Sequence, residues 1–533
     1  MEKVRNAIIQ AAGLGSRCVP LTYDTPKALL KIHGKPIIEY AIEQLLEVGI
    51  TEIIVIVNYK KKMFDYLKKK YGVTLVINPE SLTKNTLSSL YYALDYLDSS
   101  YIICGDNLSD ANLFNSHEEK SWMSCSFMQQ ESKDEWFVNL DDNQRITQVL
   151  IGGSNGYVLE GPAYFSSSFS KRIKPYMLNY YNQNNTENFY WADVLIRHLD
   201  EFPIYMCDNT NKIFDLDDIE SLRKVDSFYI GDAGNYILKT ICDVFGYDNE
   251  IKNIAPIKTG ITNNSFSFEI QEKKYVYRVA RDMSDNLIDR KKENAVYELI
   301  KNDKISDEVI YFNEENGHRI SIFLHDTRHC NINDWDDVTK CVNKLKQVHN
   351  KDYKINFVFD LFKQIEMHEA IWVGHGSSYD DYENTKANIL SLQKYFGMFE
   401  KEYVLCHIDN SNFNFLFAGE NENEFLHLID WEYAAMQELH LDLIAFAVFA
   451  NYDKDQIDRM LDIYFGSNNV KEIDRIKAYG YTSILGFLWY LWYEHECFKE
   501  APYRKYAQVR YAYAVDFYKL FMDCLSESGI TFV

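Results

Sequence analysis

An α/β domain on a mostly parallel sheet, followed by a bilobal α+β domain, is the architecture the sequence predicts. Three observations predict it. Strand and helix signals alternate over roughly the first hundred residues, hairpin signals fill the chain from about 235 to 325, and helical periodicity dominates beyond about 335.

Asn6–Ala12 is a short apolar run that stops at Gly13, the pattern of a buried strand. Pro36–Val48 carries Ile37, Ile38, Ala41, Ile42, Leu45 and Leu46 at helical spacing, and Gly49 ends it. Ile53–Val57 and Thr74–Ile77 read as buried strands, Leu87–Leu97 as a helix, and Tyr101–Cys104 as a strand running into Gly105-Asp106. Such alternation implies a parallel sheet covered on both faces, with ligands at the carboxyl ends of the strands. The loops 13–17 and 105–107 lie there.

Composition changes near residues 225–235, and the domain boundary is placed there: 1–228 and 232–533. Ser265–Ile270, a turn and Tyr275–Ala280 read as a hairpin in a small lobe of about 235–325. The large lobe, about 330–533, is helical except for Val404–His407, Asn414–Phe417 and Phe425–Ile429.

Bulk properties narrow the function. The net charge of -23 repels polyanions, so nucleic acid is not expected as a partner. Ten cysteines without a C-x-x-C pair suit reduced thiols in the cytoplasm. The apolar windows Leu441–Ala450 and Ile484–Tyr493 fall short of the roughly 20 residues that span a bilayer, so no membrane partner is expected. Oligomeric state is not legible.

The string Gln10-Ala11-Ala12-Gly13-Leu14-Gly15-Ser16-Arg17, with Thr25-Pro26-Lys27 after it, joins glycines that admit phosphate to backbone N–H groups with two cations. It lacks the third glycine of a dinucleotide fingerprint. These residues resemble the nucleoside-diphosphate-sugar pyrophosphorylase superfamily, and within it the bacterial phosphocholine cytidylyltransferases, over about residues 4–226. The resemblance implies a Rossmann-like nucleotidyltransferase domain. Ala11–Arg17 would clamp the nucleotide, Lys27 would contact phosphate, and Asn85 and Ser88 would meet base or ribose. It further implies Asp106 and Asp217 as Mg²⁺ ligands, with Asp215 the alternative to Asp217. Trp136, Tyr190, Trp191 and Asp193 would form the acceptor site, where aromatic faces and a carboxylate suit an alkylammonium head.

His407-Ile-Asp409, then Asn414, then Leu428-Ile-Asp430-Trp-Glu432, has the order of a phosphoryl-transfer site. Asp409 would accept the proton of an acceptor hydroxyl. Asn414 and Asp430 would hold Mg²⁺, and His407 would brace the loop. The string resembles choline and ethanolamine kinases and the related aminoglycoside phosphotransferases, over about residues 235–525, which implies a bilobal protein-kinase-like fold. By that resemblance Asp442 braces the catalytic loop, and Thr262, Asn263, Asn264 and Ser265 belong to the phosphate-covering loop. Arg278 takes the strand-lysine position with Glu293 as its helix partner, and the adenine hinge lies near Phe323–His325. Trp489 and Trp492, three apart on one helix face, would box a trimethylammonium group, with Glu432 and Glu494 as candidate acids.

The two resemblances together imply a coupled pair of reactions: choline and ATP to phosphocholine, then phosphocholine and CTP to CDP-choline, each with Mg²⁺. The alternatives are the same reactions on ethanolamine or an aminophosphonate, or a sugar-nucleotide pyrophosphorylase fused to another small-molecule kinase. A non-catalytic binding protein on a decayed scaffold is the remaining one. The charged residues of both sites are present, which weighs against decay.

Overall fold

The structure is a computed structural model. It describes residues 1–257, 263–280, 288–372, 376–419, 424–499 and 503–529, the side chains of Asn263 and residues 496–499 excepted. The chain divides into two compact units: Met1–Pro256 with Phe268–Lys273, and Ile257–Ser267 with Lys274–Val533. The sequence reading draws its line earlier, at 225–235.

The first unit is built on β1 (Asn6–Gln10), α1 (Ile37–Glu47), β2 (Glu52–Val57), α2 (Asp65–Tyr71), β3 (Thr74–Ile77), α3 (Thr86–Tyr92), β4 (Ser100–Cys104) and the short β5 (Asn107–Ser109). An antiparallel set follows: β6 (Trp122–Met128), β7 (Ser132–Leu140), β8 (Ile146–Gly153) and β9 (Gly156–Phe165). After these come α4 (Ser167–Tyr181), α5 (Trp191–Ile196), β10 (Tyr205–Asp208), β11 (Ile213–Asp215) and α6 (Tyr236–Phe245). The main sheet runs β8-β7-β9-β4-β1-β2-β3, with β6 pairing β9 and β10.

Central β1 lies parallel to both β2 and β4, with Asn6 opposite Glu52 and Ser100. Its side chains alternate between two cores. Ile8 packs with Leu87, Phe169 and Trp191 on one face, while Ala7 and Ile9 pack with Ile38, Ile42 and Leu45 on the other. Because both faces are covered, the strand reads as a continuous apolar run rather than an alternating one. The connection from β1 leads to β2 on one side, and β4 returns on the other. Strand order therefore reverses between β1 and β4, and their carboxyl-end loops open a crevice there.

Two local expectations change. The helix expected over Leu87–Leu97 ends at Tyr92 and continues as a 3₁₀ turn, Leu94–Tyr96. The chain beyond 235, read as hairpins, opens with helix α6. Asn235 caps it by accepting from the Ile237 and Leu238 N–H groups, and Ile237, Leu238, Ile241 and Cys242 form its buried stripe.

Further along lies the sheet β12-β13-β14-β16-β15, from Lys252–Ile257, Asn263–Ile270, Lys273–Ala280, Arg319–Ile322 and Val309–Phe312 for β12, β13, β14, β16 and β15. Helix α7 (Arg290–Ile300) falls between β14 and β15. The large lobe contains β17 (Thr327–His329), α8 (Trp335–His349), α9 (Leu361–Ala370), α10 (Tyr382–Met398) and β18 (Tyr403–Cys406). It continues with β19 (Phe415–Ala418), β20 (Phe425–Leu428), β21 (Ala435–Glu438), α11 (Leu439–Ala450) and α12 (Lys454–Phe465). Two long helices, α13 (Glu472–Lys499) and α14 (Arg504–Glu527), end it. α11 is buried on almost every side, so its sequence is apolar all round and shows no stripe. α13 and α14 approach closely at Gly486, where a Cβ would meet the Tyr513 Cβ at 2.7 Å and the Arg510 carbonyl at 2.9 Å.

Candidate active sites

The crevice of the first unit is a cleft of about 1090 Å³. Its floor is the loop after β1. Gly15 sits at φ +64°, and a Cβ there would lie 2.8 Å from the Lys27 Cβ and 2.9 Å from the Thr22 Cγ2. Only glycine both adopts that backbone and lets Lys27 pass. Thr22 Oγ1 donates to the Gly15 carbonyl at 3.0 Å and closes the loop.

Charged groups converge at this floor. Lys27 Nζ bonds Asp106 at 2.5 Å and Asp217 at 2.9 Å, and Arg17 pairs with Asp217 at 2.5 Å. Burial works against the Lys27 charge, but Asp106 and Asp217 outweigh it and raise its pKa. β11 pairs antiparallel with β5, setting Asp215 opposite Asn107. This ladder brings residues 215–217 to Asp106 across about 110 positions of chain. Loss of hydration, then repulsion from Asp217 and Asp106, pushes Asp215 up to about 7. Three carboxylates facing two cations, with one carboxyl already disfavoured as an anion, fit a divalent cation held by Asp106 and Asp217.

The repulsion carries a pH prediction. A carboxyl whose folded pKa is raised binds its proton more tightly when folded, so it costs stability once pH exceeds its ordinary value near 3.8, and the cost is complete above about 7. Asp215→Asn is therefore expected to raise the metal-free unfolding midpoint at pH 8 and to leave it unchanged below pH 4. Equal shifts at both pH values in a thermal melt would contradict this.

The remaining sites expected in this unit divide. Ala11, Ala12, Gly13, Gly15, Ser16, Arg17, Lys27, Asn85, Asp106, Asp217, Trp136, Tyr190 and Trp191 line the cleft. Leu14 is exposed. Ser88 is buried instead, donating to the Asn85 carbonyl and accepting from Asn78, and the wall presents Ser89. Trp136 and Tyr190 meet edge to face at 5.5 Å, while Trp191 is largely a core residue against Phe165. Asp193 does not line the cleft: its carboxylate accepts from the Tyr190 N–H at 2.8 Å as part of the capping box of α5. The acids that face the cleft near Trp136 are Glu160, Glu135 and Asp134. Burial first, and Glu135 as well, raise the Glu160 pKa against a bond from Ser126. No motif marks Glu160; it is one position of a long antiparallel strand.

In the second unit the loop that carries Asp409 is tied from below. Asp442, fully buried, accepts from the Ile408 N–H at 2.7 Å and from Asn410 Nδ2 at 2.7 Å, and pairs with His349 at 2.9 Å. Burial raises its pKa, but the bonds to His349 and Ile408 prevail and the net shift is downward. These bonds hold Ile408 at φ +75°, a costly backbone for a β-branched residue. His407 Nε2 bonds the Ile429 carbonyl at 2.8 Å, a brace rather than a reactive group. Asp442→Ala should cost about 3–5 kcal/mol of stability, since it strands His349 and the loop amides. It should also abolish phosphoryl transfer; a variant folding as the wild type by denaturant melt would contradict this.

The hairpin β19–β20 returns the chain so that the Ile429 N–H bonds the Asn414 carbonyl at 2.9 Å. Asn414 Nδ2 donates to Asp409 Oδ2 at 3.2 Å and to its carbonyl at 2.7 Å. Burial, then Asp430, pushes Asp409 up to about 7, while Asn414 opposes the shift. Arg278 pairs with Glu293 at 2.6 Å and also with Asp430 at 2.8 Å. Asn414 and Asp430, an amide oxygen and a carboxylate beside Asp409, fit a divalent cation. Asn264 is exposed and Ser265 half-buried on β13; Thr262 and the Asn263 side chain lie outside the described residues.

Glu432 is held by a cation of the protein itself. Its carboxylate pairs with Arg290 at 3.0 Å, and Arg290 also holds Glu293 at 2.7 Å. Burial first, then Asp430, pushes the Glu432 pKa up to about 8. Glu494 likewise faces inward, accepting from the Ser378 N–H at 3.0 Å. Trp489 is 5 % exposed, covered by Tyr433 at 5.8 Å and Phe449 at 5.0 Å between ring centroids, whereas Trp492 is half-buried. The tryptophan pair is thus not an open box. Arg290 and Tyr433 went unread in the sequence because neither falls in a motif of its own.

Both halves resemble known proteins. Residues 6–150 match the nucleotidyl transferase family model and residues 254–465 the choline/ethanolamine kinase model. A choline-phosphate cytidylyltransferase of Streptococcus pneumoniae is 35% identical over 41% of this chain and 96% of its own length. A 2-aminoethylphosphonate cytidylyltransferase of Lancefieldella rimae is 37% identical over 42% and 93%. The solved choline kinase LicA of Streptococcus pneumoniae is 21% identical, covers 54% of this chain and all of its own, and superposes with a TM-score of 0.46.

Proposed function

For a chain that belongs to the nucleotidyl transferase family through its first unit and carries a choline/ethanolamine kinase domain in its second, we propose the bifunctional synthesis of CDP-choline. We assign nucleotidyl transfer to residues 1–228 and phosphoryl transfer to residues 232–533.

In the second unit, Asp409 takes the proton of the choline hydroxyl as its oxygen attacks the γ-phosphorus of ATP, and ADP leaves. Asn414 orients the Asp409 carboxylate. In the first, a phosphocholine oxygen attacks the α-phosphorus of CTP, the α–β anhydride bond breaks, and pyrophosphate leaves. The loop Ala11–Arg17 and Lys27 hold the phosphates, and no residue need become covalently attached. Mg²⁺, held by Asp106 and Asp217 in one site and by Asn414 and Asp430 in the other, would screen the charge of the phosphates. With no helix among the described residues long and apolar enough to cross a membrane, we infer a cytoplasmic enzyme acting on small soluble substrates.

The fusion carries this reading: a hydroxyl kinase makes a phosphate monoester, and the partner site in the same chain consumes one. A phosphonate, with its carbon–phosphorus bond, needs no kinase. The 37% identity to an aminophosphonate enzyme favours that acceptor as the second reading. The test is CTP turnover with phosphocholine, phosphoethanolamine and 2-aminoethylphosphonate, beside ATP turnover with choline and ethanolamine. Phosphocholine and choline should give the highest kcat/KM. A preference for 2-aminoethylphosphonate would favour the second reading, and one for the ethanolamine pair would move both activities to that amine.

A further inference from the structure

Behind Trp489 lies a charge that the phosphoryl-transfer chemistry does not use. Arg510, on α14, is 1% exposed, and its guanidinium carbon stands 5.8 Å from the Phe449 ring, 5.9 Å from Tyr493 and 5.8 Å from Tyr513. One nitrogen bonds Asn451 Oδ1 at 2.7 Å, Nε has no hydrogen-bond partner, and no carboxylate pairs with it among the described residues. A guanidinium stays charged even so, and aromatic faces are what replaces its water. Two of the three rings lie beside the tryptophans expected at the acceptor site. Phe449 packs on Trp489 at 5.0 Å, and Tyr493 follows Trp492 on α13. Burial raises the Tyr493 phenol; Arg510 opposes the shift and Asp409 adds to it, so the phenol lies within electrostatic reach of both. The close approach of α13 and α14 at Gly486 sets this depth, since the Arg510 carbonyl lies 2.9 Å from where a Cβ would stand.

We propose that Arg510 is a positioning residue for the acceptor: a resident cation that fills the inner aromatic cage of Phe449, Tyr493 and Tyr513 and so fixes Tyr493, and through Phe449 the Trp489 ring, beside the acceptor. The inner cage is occupied by the protein's own cation, so the ammonium head of an acceptor is kept out of it. This rests on the amino-alcohol kinase reading above.

Arg510→Met keeps length and removes the charge, and Arg510→Lys restores it. With ATP saturating, Arg510→Met should raise the choline KM about ten-fold, with the ATP KM unchanged. Arg510→Lys should recover most of that loss. Asn451→Gly suits the positive φ of that residue, removes only the hydrogen bond, and should give a smaller rise of the same sign. It reads the proposal even where Arg510→Met fails to fold. An unchanged choline KM in a folded Arg510→Met or in Asn451→Gly overturns the proposal. So does a loss that falls equally on both substrates or that lysine does not rescue. A wild type that phosphorylates choline while the variants behave as it does sinks only this inference. A wild type that phosphorylates no amino alcohol sinks the kinase reading and this inference with it.

Discussion

Asp409→Ala is expected to lower choline phosphorylation by about 10²–10⁴-fold, the range that a positioned general base supplies, while leaving cytidylyl transfer from added phosphocholine unchanged. The geometry explains the size. Asn414 orients the carboxylate, and the loop that carries it is fixed by Asp442 and His407. Alanine removes that carboxylate, and leaves Asn414 Nδ2 its bond to the residue 409 carbonyl. Separate assays of the two activities check it. Kinase turnover within a factor of a few of wild type would remove Asp409 from the mechanism.

The converse substitution is Asp106→Ala. Cytidylyl transfer should fall by about 10²–10³-fold or more, the scale seen when one preorganised electrostatic partner of a transition state is lost, while choline phosphorylation is retained. Asp106 is one of the two carboxylates that meet at Lys27, and without it the lysine is held by Asp217 alone. Transfer that survives the change, measured as pyrophosphate release with phosphocholine and CTP, would contradict the site.

The features legible in the sequence are those written in local strings. The run Asn6–Gln10 reads as a strand because both its faces are buried, and the loop 11–17 announces itself through Gly15, which Lys27 and a positive φ require. The order Asp409, Asn414, Asp430 is legible because one short hairpin returns the chain to its start. The side chains misread are those whose role depends on where an element points. Asp193 lies three residues after Tyr190, a spacing that serves a helix cap as well as a ligand site. Trp489 and Trp492 share a helix face by spacing, but only packing shows that Tyr433 and Phe449 cover the first. Glu432 follows Asp430 by two, and whether it faces an acceptor or Arg290 is decided by α7, more than a hundred residues earlier in the chain. Glu160 enters the cleft only because β9 crosses it, which no neighbour in sequence records.

The account stands on one chain performing two consecutive transfers, and mass spectrometry of the products from choline, ATP, CTP and Mg²⁺ tests that most directly. CDP-choline should accumulate with the full mixture, and phosphocholine alone when CTP is withheld. If the full mixture yields phosphocholine but no cytidylylated product, or if neither product forms, the central claim is contradicted.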